Sequence, residues 1–69
     1  MSVNEEILHY ISETMKLYPT LNFIAILNIL QINESSMHIH SSNEWILGRV
    51  KSIYTTIKKD RDEQISKNN

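Results

Sequence analysis

Leu21-Asn22-Phe23-Ile24-Ala25-Ile26-Leu27-Asn28-Ile29-Leu30-Gln31-Ile32 decides the fold, because nine of these twelve residues are apolar. At about 100° per residue they point in every direction around a helix axis, and a helix that is apolar all round is buried all round. Isoleucine-rich runs also suit a buried strand, and periodicity alone does not separate the two. Helix is the favoured reading and buried strand the rival; for the chain as a whole, scarce glycine argues against mostly-β and nucleotide-cradling folds, since hairpins and phosphate-binding loops draw on glycine for positive φ and Gly48 is the one glycine present. A helix over 21–32 is therefore expected, with Thr20 as its N-cap.

Upstream, Pro19 brings no N–H and disfavours helical geometry in the residue before it, so a first helix should stop near Leu17. Ser2 and Glu5 stand in the spacing of a capping box at its start. Between them Val3, Ile7, Leu8, Tyr10, Ile11, Met15, Leu17 and Tyr18 cover one half of the cylinder. Glu5, Glu6, His9, Ser12, Glu13 and Lys16 cover the other. The expected element is an amphipathic helix over 3–17 with an acidic outer face.

Downstream, 33–42 is polar and serine-rich and reads as a loop. The alternation Met37-His38-Ile39-His40 suits a short extended piece within it. Ser41 and Glu44 form a second capping box, with Ser42 or Asn43 as alternative caps, and a third helix over 43–59 follows. Ile46, Val50, Ile53 and Ile57, flanked by Leu47 and Tyr54, give it an apolar stripe about 120° wide. Residues 60–69 read as a charged extension of that helix or a frayed end. The expected fold is an all-α, compact three-helix domain over 1–59.

Sixty-nine residues without cysteine leave room for one small core, no disulfide and no thiolate nucleophile. A domain this small seldom gains more than about 3–5 kcal/mol from its core. Two amphipathic helices barely cover an all-apolar third, and soluble monomers seldom leave a large apolar patch exposed. A homodimer or a host protein partner is the expectation, with Phe23, Ile24, Leu27 and Trp45 as interface anchors. Trp45 projects roughly opposite the apolar stripe of its helix; a packing residue at the helix start, against Met37–Ile39 or the second helix, is the favoured reading, and the rival is an interface anchor, since tryptophan is enriched among the residues that dominate binding energy.

Charge is polarised along the chain: residues 1–34 hold one Lys against four Glu, and 35–69 hold six Lys or Arg against four Asp or Glu. Arg49, Lys51, Lys58 and Lys59 have no acidic residue between them, which makes phosphate contact by a small nucleic-acid-binding regulator the alternative function. Their helical projection sends them to different sides, against that alternative. His38 and His40 would leave one face of an extended segment as two metal ligands, with His9, Glu34 or Glu44 as third-ligand candidates, and surface histidines in a polar loop are the favoured reading. His9, four residues from both Glu5 and Glu13, reads as a solvated side chain. No nucleophile–base motif stands out, so neither catalysis nor a cofactor or small-molecule substrate is expected. The start Met1-Ser2-Val3-Asn4-Glu5-Glu6 does not read as a secretory signal, and no apolar run approaches the length of a bilayer span. A cytoplasmic protein away from membranes is expected.

Tyr18-Pro19-Thr20-Leu21-Asn22-Phe23-Ile24-Ala25-Ile26-Leu27-Asn28, followed after a loop by Met37-His38-Ile39-His40-Ser41 and a helix, resembles small uncharacterised proteins of low-G+C bacteria and their phages. Asn22, Ile24 and Ala25 stand where that family has Arg, Gly and Gln, so no role of those polar residues carries over. The resemblance covers about half the chain and implies a small helical protein borne by a phage or mobile element. It implies no activity.

Overall fold

The structure is a computed structural model that describes residues 2–33 and 40–67. It is an all-α domain of three helices, α1 (Val3–Leu17), α2 (Phe23–Ile29) and α3 (Asn43–Lys67). The extended piece expected at Met37–Ile39, with His38 and Glu34, lies outside the described residues.

Local signals set most of the helix ends. At α1 the Glu5 N–H donates to Ser2 Oγ at 3.2 Å, and the Ser2 hydroxyl donates to Glu5 Oε1 at 3.1 Å. Ser2 and Glu5 thus cap the helix as a pair, with the Glu5 carboxylate taking the hydroxyl proton instead of reaching a backbone N–H. Tyr18, the residue before Pro19, leaves the helical region at φ −129° and ψ 68°. The second cap differs from expectation. Asn22, not Thr20, caps α2 by accepting the Ala25 N–H at 2.9 Å on Oδ1, because Pro19 and Thr20 are held in the turn.

The far end of α2 also differs. Ile32 N–H donates to Leu27 O at 2.8 Å and Gln31 N–H to Asn28 O at 3.0 Å, the bond pair of a Schellman motif, with Gln31 in the left-handed region at φ 59°. The helix therefore stops at Ile29, three residues before the apolar pattern does. α3 starts on Ser42, whose Oγ accepts the Trp45 N–H at 3.1 Å. It then runs past residue 59 to Lys67, so the charged segment is helical over most of its length.

Tyr10 meets Tyr54 at 5.4 Å between ring centroids, and Arg61 lies 5.1 Å over the Tyr18 ring. Residue numbers rise together along both pairs, so α1 and α3 run parallel. Gln31 reaches Arg49, twelve residues before Arg61, which makes α2 the antiparallel return. At about 1.5 Å per residue the 25 residues of α3 account for most of the molecule's 45 Å length.

Among the described residues the fully buried side chains are Thr14, Ile26, Leu30 and Val50, drawn from all three helical segments. Thr14 sits at the centre of the apolar half of α1. Its hydroxyl donates to Tyr10 O at 2.8 Å, so burial leaves no polar atom unpaired. Leu8 and Met15, expected on the inner face of α1, are exposed instead, because they lie at the edge of that half while α2 is too short to cover it.

Candidate functional site

Two surfaces bring together the residues singled out in the sequence. The first is the opening of α2. Leu21, Phe23 and Ile24 are 43%, 54% and 65% exposed, while Ile26 and Leu30 turn inward. Leu27 is half-buried beside them. The helix that looked apolar on every side thus buries one side and leaves another uncovered. Of the four expected anchors, Phe23 and Ile24 are on the surface, Leu27 is shared with the interior, and Trp45 is exposed on α3.

The second surface is a shallow groove of about 490 Å³ beside α3, lined by Gln31, Trp45, Gly48, Arg49, Ser52 and Ile53. Arg49 organises it. Its Nη2 donates to Gln31 Oε1, and its guanidinium carbon lies 5.7 Å from the centroid of the Trp45 ring, a cation–π contact one helical turn away. Trp45 and Arg49 are neighbours on α3 because they are four residues apart. Gln31 arrives from the other side because the left-handed turn at the end of α2 swings it towards α3. The Gln31–Arg49 bond spans 18 residues of sequence, and local pattern carries no sign of it.

Gly48 is the floor of the groove. It lies in the interior of α3, and a Cβ built there would meet nothing within 4 Å. Glycine in a helix interior costs roughly 0.5–1 kcal/mol relative to alanine. Gly48→Ala should accordingly raise stability by about that amount and the melting temperature by about 4 °C for a domain of this size. Thermal unfolding followed by circular dichroism checks this; a fall in melting temperature would mean that the backbone needs glycine there.

The cations proposed for phosphate contact are not brought to one face. Arg49 is held by Gln31 and Trp45, whereas Lys51 and Lys58 leave α3 about 160–180° away from it around the axis and Lys59 about 80° away. Arg61 is turned onto Tyr18. Among the described residues no group of three His, Cys, Asp or Glu is placed to hold a metal ion. His9 is exposed and packs edge-on against Tyr10 at 5.3 Å. His40 is exposed at the start of the segment leading into α3. No described helix is long and apolar enough to cross a membrane.

No protein-family model, curated protein or solved structure matches this chain.

Proposed function

We propose that the chain is a small non-enzymatic protein–protein interaction module. It self-associates or docks on a host protein as an inhibitor or adaptor, of the kind that phages and mobile elements encode. The observation that carries this reading is the exposed trio Leu21, Phe23 and Ile24 in a domain whose fully buried apolar side chains, among the described residues, are Ile26, Leu30 and Val50. Among the described residues seven large apolar side chains are exposed against three that are buried, and such a surface gains by being covered with a partner. Trp45 gives α3 a second anchor.

Ile24→Asp is the sharpest test, because Ile24 is 65% exposed and its replacement leaves the interior intact. Leu27→Asp would disturb packing as well. Wild-type protein at micromolar concentration should sediment as a dimer or retain a partner from its native cell. Ile24→Asp should weaken that association by about 2 kcal/mol, or roughly thirtyfold. A wild-type chain that stays monomeric, binds no hydrophobic dye and retains no partner removes the proposal.

A further inference from the structure

We infer that the groove between the Gln31 turn and α3 is a docking site for a peptide segment of a partner protein that carries a carboxylate beside an apolar side chain. This goes further than the reading of the chain as an interaction module and rests on it. Two departures from local preference converge on this groove. Gln31 adopts the left-handed backbone that helix ends normally give to glycine, at a cost of about 1 kcal/mol. Gly48 occupies a helix interior where no neighbour crowds a side chain, and where alanine would be more stable. Neither choice is explained by packing, and both line the same 490 Å³. Exchanging the two residue types would suit the backbone at both places. It would also remove the amide that holds Arg49 and put a side chain on the groove floor. Departures of this kind collect at functional sites.

The chemistry of the lining selects the occupant. Arg49 gives one N–H to Gln31 and keeps the rest of its donor fork for an oxygen pair. Among the described residues no carboxylate is paired with it; the ion pair present joins Lys16 to Glu13. The Ser52 hydroxyl and the Gln31 amide stand beside it, and the Trp45 ring and Ile53 supply apolar walls. One cation with neutral donors suits a single carboxylate, which an arginine binds through two parallel hydrogen bonds. A nucleic-acid backbone would call for several cations along a track, and Lys51 projects about 160° away from Arg49 around the helix. Gly48 lets the backbone of the bound segment come close to α3 while its apolar side chain lies against Trp45.

A library of random dodecapeptides displayed on filamentous phage and panned against the full chain tests the inference. A selected peptide is then titrated while the fluorescence of Trp45 is followed; this is the one tryptophan in the chain. Selected peptides should carry Asp or Glu beside Leu, Ile or Phe, and their binding should shift the Trp45 emission. Arg49→Gln and Gly48→Leu should each weaken binding by at least about tenfold, with helical circular dichroism retained. Gly48→Leu raises helix propensity while filling the groove, so it separates blockage from misfolding. Lys51→Gln and Ile24→Asp should stay within about twofold of wild type, as distant sites do. Peptides without an acidic preference, no selected binder, or equal affinity in Arg49→Gln and Gly48→Leu would each overturn the inference. A matching loss in Lys51→Gln would reduce it to general charge attraction, and a loss in Ile24→Asp would move the site to α2. Failure of any of these kinds leaves the sedimentation behaviour of wild type and Ile24→Asp intact as the separate test of the interaction module.

Discussion

Leu30→Ala should leave a chain that is largely unfolded in dilute urea at 25 °C. Leu30 is completely buried at the end of α2, where its N–H donates to Ile26 O at 3.2 Å. Cutting a buried leucine to alanine costs about 2–5 kcal/mol, part of it for the cavity that remains. A core of this size supplies only about 3–5 kcal/mol in total, so one substitution spends most of the stability. The comparison is Ile24→Ala, a few residues away and 65% exposed. It should move the urea midpoint by the equivalent of about 0.5 kcal/mol or less. Urea titrations followed at 222 nm separate the two. Similar midpoints for both variants would mean that α2 does not bury one side in preference to the other.

Val50→Asp should be more severe and should unfold the chain outright at neutral pH. Val50 is completely buried in α3, one turn before the Tyr54 that meets Tyr10 of α1. A carboxylate there loses its hydration, and the fully buried residues around the core, Thr14, Ile26 and Leu30, bring no cation. Uncompensated burial of a charge is among the few single changes that exceed about 4 kcal/mol. Far-UV circular dichroism should show loss of the α1 and α2 signal, because helices of 15 and 7 residues are marginal alone in water, and a fall in that of α3, which draws on packing of its apolar face. Retention of wild-type helicity and a cooperative melt would show that this part of α3 can open to solvent without disturbing the rest.

What the sequence made legible follows the range of the signals. α1 could be read to the residue because Ser2, Glu5 and Pro19 act within one turn of the ends they define. For the start of α3 the pattern offers Ser41, Ser42 or Asn43, and the hydroxyl that accepts the Trp45 N–H is that of Ser42. α2 was harder. Thr20 and Asn22 are both good caps, and only the turn geometry after Pro19 chooses between them. At its far end the stop comes from a glutamine in a conformation that sequence rules reserve for glycine, so no breaker was visible.

The end of α3 was obscured for a different reason. Lys58 onward carries no apolar stripe, and one contact that holds the extension against the domain is a ring–guanidinium pair, Tyr18 with Arg61, between distant parts of the chain. The candidate surfaces divide in the same way. Helical projection sets Trp45 opposite the apolar stripe without deciding between exposure and packing at the helix start, whereas the excess of apolar residues over partners points to an uncovered side of α2. The groove is not legible in this way, because the Gln31–Arg49 bond joins residues 18 apart and leaves no local pattern.

The parallel course of α1 and α3 has a consequence for how the domain comes into being. Neighbouring antiparallel helices can zip together from a short turn, but parallel ones must wait for an intervening stretch to travel back. Here Tyr10 and Tyr54 are separated by most of the chain. The largest helix–helix seam therefore closes a long loop before it returns any energy, which slows folding relative to an up-and-down bundle of equal length. During synthesis the first two helices emerge with their apolar sides open and find α3 only when Asn43–Lys67 has left the ribosome. The surface that the finished protein keeps uncovered on α2 is a small remainder of one that every nascent copy carries in full.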